Sequence, residues 1–220
     1  MINFDEMIDK HLKRESKAKT IGRYYPSEVG TCIRKVWFSY KKPKDTDPAT
    51  LKIFHAGNIL HDFVTDVLKS EKNTDIELIG TEVPFKVEVE DFLISGRIDN
   101  MILIKDRNEK VVVEVKSTKN LDYLKEPNQS YVTQLQLYLH SLGLKKGVLL
   151  YVQKDNLKSK SFNVEYDETE ANRILARFKK LHHHLKNDIM PDAEAKIYEE
   201  LKWLCNYCDY SEECRECGGD

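Results

Sequence analysis

The spacing of apolar residues changes along the chain, and the change predicts helices first and strands afterwards. Apolar residues recur at helical spacing over residues 2–19 and again after Asp47-Pro48, with a further helix start at Pro26-Ser27 between them. From Val83 onward, apolar and polar residues alternate with a period of two, which is typical of strands. Three such stretches follow one another, at residues 83–89, 91–106 and 110–117.

The second half of the chain alternates between the two kinds of element. A helix is predicted after Pro127, a buried strand at 147–153, an edge strand at 159–166, and a long helix after the N-cap residue Asp167. The His182–His184 triplet falls inside this last helix, where we expect it on the exposed surface. The whole order predicts an α/β fold, in which helices cover a mixed central sheet.

Composition indicates a globular domain that is neither disordered nor embedded in a membrane. Of the 220 residues, 40% are hydrophobic, and the mean hydropathy is -0.57. No apolar run approaches the ~20 residues that cross a bilayer. The charged amino terminus lacks the apolar segment of a signal peptide, so we expect a cytoplasmic protein. The net charge of -2 excludes no class of partner.

Charged residues at the ends of two predicted strands point to a metal site. Glu114 and Lys116 occupy alternate positions, so both side chains lie on one face of their strand. Asp99 lies roughly one hairpin upstream, where an antiparallel neighbour brings its carboxylate to the same end of the sheet. Two such carboxylates form a hard-oxygen site suited to Mg²⁺ or Mn²⁺. Taken alone, the Glu-x-Lys pair is more typical of an ion pair on a half-exposed strand.

Two predicted helices add polar side chains to this set. His61 follows Gly57 by one helical turn and is a candidate nitrogen ligand, although a single helical histidine is more often a structural or surface residue. Gln134 and Tyr138 are four residues apart and therefore share one face of the helix after Pro127. An amphipathic helix with ordinary polar residues is the alternative interpretation of that pair.

The ordered set of Gly-x3-His, Gly-x2-Asp, Glu-x-Lys and Gln-x3-Tyr resembles the RecB-like branch of the PD-(D/E)XK nuclease superfamily. The resemblance covers most of residues 55–153 and implies the restriction-endonuclease-like core of that superfamily. It implies that one or two divalent cations, Mg²⁺ or Mn²⁺, are held by His61, Asp99, Glu114 and the carbonyl of Val115. It also implies catalytic roles in which Lys116 orients or helps to deprotonate the attacking water, while Gln134 and Tyr138 support the site.

The five cysteines form an odd, unevenly spaced set, which fits metal ligation better than a disulfide framework. Thiolates at this density favour zinc or an iron–sulfur cluster. The pattern resembles that of iron–sulfur RecB-like nucleases and best matches the fourth CRISPR-associated protein family. The resemblance implies a [4Fe-4S] cluster that joins the chain ends, with the ligands Cys32, Cys205, Cys208 and Cys214. The alternative is a structural Zn²⁺ site formed by Cys205, Cys208, Cys214 and Cys217.

Charge is segregated between the two ends of the chain. Eleven basic residues and two acidic ones lie between Lys10 and Lys44, whereas residues 188–220 hold ten acidic and three basic residues. Basic residues interleaved with aromatic ones favour a surface for single-stranded DNA, and the predicted DNA-binding residues are Tyr24, Arg34 and Lys35. A solvated charge run is the alternative.

The chain is expected to form a single nuclease domain with three parts. These are a basic helical part at residues 1–54, a PD-(D/E)XK core at 55–190 and a Cys-rich iron–sulfur tail at 191–220. The sequence leaves open whether the chain forms a homo-oligomer.

Together these features predict a metal-dependent DNA nuclease, an exonuclease or endonuclease that acts on single-stranded DNA or overhangs. The family resemblance implies a role in preparing new CRISPR spacer DNA, with the integrase proteins of that system as partners. One alternative is a repair or virus-encoded nuclease outside any CRISPR system. Another is a non-catalytic iron–sulfur adaptor that binds DNA, although a binder has no need for carboxylates beside a lysine.

Overall fold

Six strands in the described part of the chain form one mixed sheet, and helices pack against both of its faces. This computed structural model describes residues 1–15 and 17–217; residues 16 and 218–220, which the predicted first helix and the predicted tail include, lie outside the described residues. The strands are β1 (Arg23–Tyr24), β2 (Ile76–Val89), β3 (Phe92–Ile104), β4 (Glu109–Thr118), β5 (Lys146–Gln153) and β6 (Ser159–Glu165). The α-helices are α1 (Phe4–Leu12), α2 (Ile33–Lys41), α3 (Pro48–Lys69), α4 (Gln129–Leu142), α5 (Glu168–Lys186), α6 (Glu194–Ile197) and α7 (Ser211–Glu216). Two 3-10 helices cover Pro26–Glu28 and Glu199–Tyr207.

The strand order is β1-β3-β4-β5-β6, and β2 also pairs with β3. Strands β2, β3 and β4 form an antiparallel meander. Strand β5 runs parallel to β4, and α4 lies in the crossover that a parallel pair requires. Strand β6 then returns antiparallel to β5. The predicted α/β class with a helix-covered mixed sheet is confirmed.

Each face of the sheet has its own hydrophobic core. On one face, α4 and α5 bury Leu137 and Phe178 in a cluster that includes Leu149 of β5. On the other face, α3 buries Leu60 and Val64 against valines of β4. Burying an aliphatic or aromatic side chain of this size stabilises the fold by about 1.5–3 kcal/mol. These two cores hold α3 and α4 against opposite faces of β4.

Local capping sets where the two longest helices begin, as predicted. The Asp47 side chain accepts a hydrogen bond from the Thr50 backbone N–H, and Pro48 occupies the first turn of α3. The Asp167 side chain caps α5 by accepting a hydrogen bond from the Thr169 N–H. No helix in the described residues is long and apolar enough to cross a bilayer.

The amino-terminal part departs from the prediction. The first helix ends at Leu12 instead of residue 19, because the residues that follow supply no apolar face for packing. Pro26 begins only a 3-10 turn, and α2 starts after Cys32. Arg23 and Tyr24 form a short strand parallel to β3, which no sequence pattern predicts because two residues carry no detectable period.

His182 also differs from the expected surface position. Its exposed fraction is 8%, and its Nδ1 lies 2.7 Å from the Tyr24 hydroxyl oxygen. The residue lies one helical turn after Phe178, on the buried stripe of α5. The expectation that the histidine triplet lies on the surface is therefore wrong for its first member.

Candidate active site

Asp99 and Glu114 lie next to each other where β3 and β4 part. The pairing of these two strands ends with Asn100 opposite Val113, and the two carboxylates occupy the positions that follow. Beyond this point the Val115 N–H of β4 is bonded to a side chain of β3 instead of to its backbone. It donates a hydrogen bond of 2.8 Å to Asp99 Oδ2. The end of the ladder thus directs both carboxylates to one place.

A hydrogen-bond network connects Glu114 to α4. Lys116 Nζ lies 2.7 Å from Glu114 Oε1, and Gln134 Nε2 donates to the same oxygen at 2.9 Å. Gln134 Nε2 also donates to the Tyr138 hydroxyl oxygen at 2.6 Å. The Tyr138 hydroxyl in turn donates to the backbone carbonyl of Arg97 at 3.3 Å. One polar face of α4 therefore fixes one oxygen of the buried carboxylate.

His61 approaches the site from α3, on the opposite side of β4. Its Nδ1 lies 3.4 Å from Asp99 Oδ2. The packing of Leu60 and Val64 against β4 holds α3 close enough for this contact. The structure brings together all the side chains that were predicted for catalysis and for the divalent-metal site: His61, Asp99, Glu114, Lys116, Gln134 and Tyr138.

Burial dominates the electrostatics of Glu114. Its side chain is 1% exposed. Burial and the neighbouring charge of Asp99 raise the pKa of Glu114 to about 7, although Lys116 acts in the opposite direction. Both causes disfavour a second negative charge at this place. Buried carboxylates of this kind are usually paired or bound to a metal ion.

The pKa values of the two basic side chains of the site, Lys116 and His61, are both raised. Burial alone opposes the charged form of Lys116, but the charge and hydrogen bond of Glu114 outweigh burial and raise the pKa of Lys116. Burial likewise opposes the charged form of His61, and the hydrogen bond and charge of Asp99 raise its pKa. Lys116 is therefore protonated at neutral pH in the metal-free protein, which suits it to stabilising negative charge.

One carboxylate oxygen of the site has no hydrogen-bond partner in the described residues and is therefore a candidate ligand for a cation. Glu114 Oε2 is buried and has no hydrogen-bond partner among the described residues. The carboxylates of Asp99 and Glu114 with the His61 imidazole form a donor set that suits Mg²⁺ or Mn²⁺. Within residues 1–15 and 17–217, no three His, Cys, Asp or Glu side chains are placed so that they could together hold a metal ion. The residues thus supply suitable donor types without an assembled coordination shell, and ligation by His61, Asp99, Glu114 and the Val115 carbonyl stays a prediction.

Tyr131 belongs to the same cluster, although none of the motifs includes it. The Lys116 Nζ lies over its ring, 4.5 Å from the ring centroid, in a cation–π contact. Tyr131 precedes Gln134 by three residues and Tyr138 by seven, so all three side chains share a face of α4. This helical spacing is the sequence signal that could have identified it.

The predicted DNA-binding residues do not form one exposed surface. Tyr24 is 0% exposed and packs among aromatic core residues, so its ring offers no face to a base and its predicted role is wrong. Arg34 Nε donates to the Pro191 carbonyl at 2.7 Å, and Lys35 Nζ lies 3.0 Å from Asp209 Oδ2. Both cations thus contact the carboxyl-terminal tail, and their DNA contacts stay predictions.

Four of the five cysteines line one cavity, although they are far apart in the sequence. Cys32 at the N-cap of α2 and the tail residues Cys205, Cys208 and Cys214 surround a volume of about 230 Å³. Burial and the neighbouring thiols of Cys32 and Cys214 raise the pKa of Cys205. Cys217 is exposed and is not among the residues that line the cavity. This sulfur-rich lining suits a soft metal or a cluster.

A half-buried ion pair holds the two cysteine-bearing segments together. Arg177 of α5 donates to the two oxygens of Glu194 at 2.8 and 2.6 Å and to the Thr31 carbonyl at 2.7 Å. Glu194 Oε2 also accepts a hydrogen bond of 3.0 Å from the Ile33 N–H. The backbone on both sides of Cys32 is therefore tied to the start of the tail.

Comparison with known proteins finds relatives that match almost the whole chain. The family model of the PD-(D/E)XK nuclease superfamily matches residues 10–215. A curated relative, the CRISPR-associated exonuclease Cas4 of Saccharolobus solfataricus, is 26% identical over 212 residues, which cover 94% of this chain and 93% of the relative.

Two solved structures share the fold. The crystal structure of SSO0001 superposes with a TM-score of 0.65 at 24% identity and covers 95% of both chains. The alkaline exonuclease LHK-Exo from Laribacter hongkongensis, solved in complex with dAMP, gives a TM-score of 0.57 at 13% identity over 77% of this chain and 90% of its own. With this fold, and with a family model that matches residues 10–215, the chain belongs to the PD-(D/E)XK nuclease superfamily.

Proposed function

We propose that this protein is a DNA nuclease that uses Mg²⁺ or Mn²⁺ to hydrolyse phosphodiester bonds. The observation that carries the proposal is the meeting of Asp99, Glu114 and Lys116 at one place, with one buried oxygen of Glu114 left without a partner in the described residues. PD-(D/E)XK nucleases generally use divalent metals of this kind. A pure DNA-binding protein would gain nothing from burying such a carboxylate.

The site residues divide into metal ligands and groups that act on the substrate. The proposed ligands are His61, Asp99, Glu114 and the carbonyl of Val115. When bound, the divalent cation supplies Lewis acidity towards the phosphodiester and makes a water molecule more acidic. Lys116 orients the attacking water and places its positive charge where negative charge builds up on the phosphoryl oxygens. The contact with Tyr131 limits where that charge can move.

Gln134 and Tyr138 act as positioning residues. Gln134 donates to Glu114 Oε1, and this leaves Oε2 as the oxygen that would be available to a cation. Tyr138 is anchored to the Arg97 carbonyl and contacts Gln134, so it restricts the rotation of the amide. The two residues thereby hold the carboxylate in one orientation.

The proposed substrate is single-stranded DNA or a single-stranded overhang, cut from an end or internally. The excess of basic residues between Lys10 and Lys44 supports this choice, because clustered positive charge suits a flexible polyanion. Since the curated relative is named a CRISPR-associated exonuclease, the proposed role is the preparation of new spacer DNA in the cytoplasm. The integrase proteins of that system are the proposed partners.

A [4Fe-4S] cluster is the proposed second cofactor, with the ligands Cys32, Cys205, Cys208 and Cys214. The cavity that these four residues share supports this assignment, and the position of Cys217 outside its lining disfavours a zinc site that needs Cys217. Such a cluster would join residues 1–54 to the tail at 191–220 across the core at 55–190. We therefore treat the three parts as one nuclease domain.

The direct test is cleavage of end-labelled oligonucleotides by the full chain. Single-stranded, overhanging and blunt duplex DNA are compared in Mn²⁺, in Mg²⁺ and in a chelator. We expect metal-dependent products from single strands and overhangs and none in the chelator. Tight binding of all three DNAs without products in either metal would support an adaptor and contradict the proposal.

A further inference from the structure

Arg34 connects two walls of the cysteine cavity. It lies in the first turn of α2, two residues after Cys32. Its guanidinium donates through Nε to the Pro191 carbonyl at 2.7 Å and through Nη1 to Cys214 Sγ at 3.7 Å. Cys214 lies on α7, at the far end of the chain. One side chain therefore links the segment that carries Cys32 to the helix that carries Cys214.

Three other basic residues line the same cavity. They are Lys35, Lys196 and Arg215. Lys35 is engaged by Asp209 at 3.0 Å and by the Tyr207 carbonyl at 3.4 Å. Among the described residues, Arg34 is the cation that donates a hydrogen bond to a cysteine sulfur. The rigid guanidinium fork allows this, because one N–H is fixed by a carbonyl while another points at the sulfur.

We propose that Arg34 is a positioning residue for the cluster, which fixes the Cys214 thiolate and raises the reduction potential of the cluster. The inference rests on the proposed [4Fe-4S] cluster. Reduction adds negative charge to a cluster, and hydrogen bonds to its sulfurs and nearby charge set its potential. A permanent positive charge hydrogen-bonded to a ligand sulfur stabilises the reduced form more than the oxidised form.

The test is the reduction potential of the full chain, purified without oxygen and titrated with a chemical reductant while its visible absorption and EPR spectra are followed. Arg34→Met removes the charge and the hydrogen bond, whereas Arg34→Lys keeps the charge and loses the fork. Arg215→Met is the matched control, because it removes a guanidinium that lines the cavity but is not hydrogen-bonded to a cysteine sulfur in the described residues.

We expect the potential to be lowest in Arg34→Met, intermediate in Arg34→Lys, and nearest the wild-type value in Arg215→Met. Equal potentials in Arg34→Met and the wild type would overturn the inference, as would a larger shift in the control. If Arg34→Met takes up no iron, the test uses Arg34→Lys instead. A reduction potential of Arg34→Lys equal to that of the wild type would then overturn the inference. A wild-type protein without iron, sulfide or brown colour refutes the cluster itself, before any variant is compared.

Discussion

Lys116 Nζ lies 2.7 Å from Glu114 Oε1 on one face of β4, while the other oxygen of the same carboxylate is buried without a hydrogen-bond partner in the described residues. The protein thus engages one oxygen of the carboxylate, and the proposed position for a divalent cation is at the other oxygen. Gln134 strengthens this division by donating to the oxygen that Lys116 already contacts. The different roles of the two oxygens explain why Glu114 and Lys116, an acid and a base two residues apart, are both placed in the interior of the site.

Glu114→Gln is predicted to change how stability depends on pH in the metal-free protein. Because the pKa of Glu114 is raised to about 7 in the folded state, against about 4.3 in an unfolded chain, the folded protein holds the extra proton between these values. The contribution of Glu114 to stability is therefore complete below about pH 4.3 and is lost as the pH rises through about 7. Chelator-treated protein, melted across this range, should show a fall that Glu114→Gln reduces.

Glu114→Gln also distinguishes specific binding of Mn²⁺ at the site from non-specific stabilisation by the ion. Mn²⁺ should raise the melting temperature of the wild type at pH 8 and leave that of Glu114→Gln almost unchanged. Glu126→Gln is a suitable control, because Glu126 is exposed and lies in the loop before α4. Equal stabilisation of wild type and Glu114→Gln by Mn²⁺ would contradict the assignment of Glu114 as a ligand.

Gln134→Ala is predicted to lower kcat/KM without abolishing cleavage. The variant loses a hydrogen bond to a buried carboxylate, an interaction that contributes about 1.5–3 kcal/mol, so kcat/KM should fall roughly 10- to 100-fold. Steady-state cleavage of single-stranded DNA measures this effect. Gln129→Ala, in the first turn of α4, is the control. A Gln134→Ala enzyme as active as the wild type would show that the carboxylate needs no such support.

Glu194→Gln is predicted to destabilise the protein at neutral pH by roughly 1.5–3 kcal/mol, because it removes the charge that is hydrogen-bonded to the half-buried Arg177 guanidinium. Burial alone opposes the charged form of Glu194, but Arg177 outweighs burial and lowers its pKa. The contribution of the pair is therefore complete above the unfolded pKa of about 4.3 and is lost as the pH falls through the lower folded value. Urea unfolding at pH 7 and at pH 3 should show a difference between wild type and variant that shrinks with acid.

Cys32→Ser and Cys217→Ser are predicted to differ in colour and iron content. Cys32 lines the cysteine cavity and Cys217 does not, although the tail cysteines are closer to Cys217 in sequence. Cys32→Ser should lose the brown colour and most of the iron, whereas Cys217→Ser should keep both. Zinc in place of iron, lost in Cys217→Ser and kept in Cys32→Ser, would favour the alternative site.

Much of the fold is encoded locally and could be predicted. Asp47 and Asp167 cap the helices that follow them through their own side-chain hydrogen bonds. The valine-rich sequence of β4 favours a strand independently of its neighbours in the sheet. In contrast, β1 exists because β3 offers it backbone partners, and two residues carry no pattern that reveals this. Tyr24 is buried for the same reason, since its surroundings come from distant segments.

The candidate site could be predicted where spacing carries the information. Glu114 and Lys116 share a strand face, and Gln134 and Tyr138 share a helix face, so their grouping follows from local geometry. The contacts of Arg34 depend on how a tail 180 residues away folds back, and a charged residue in a basic segment looks the same from sequence whether it faces DNA or a thiol.

The site formed by Glu114 and Lys116 is proposed to cut DNA. The most direct measurement compares cleavage of end-labelled single-stranded DNA in Mn²⁺ by wild type, Lys116→Ala and Lys105→Ala, where Lys105 is an exposed lysine just after β3. Loss of a charge that stabilises the phosphoryl oxygens should lower kcat of Lys116→Ala roughly 10²–10³-fold, with Lys105→Ala equal to wild type and all three proteins equally folded. Cleavage by Lys116→Ala at the wild-type rate would contradict the account.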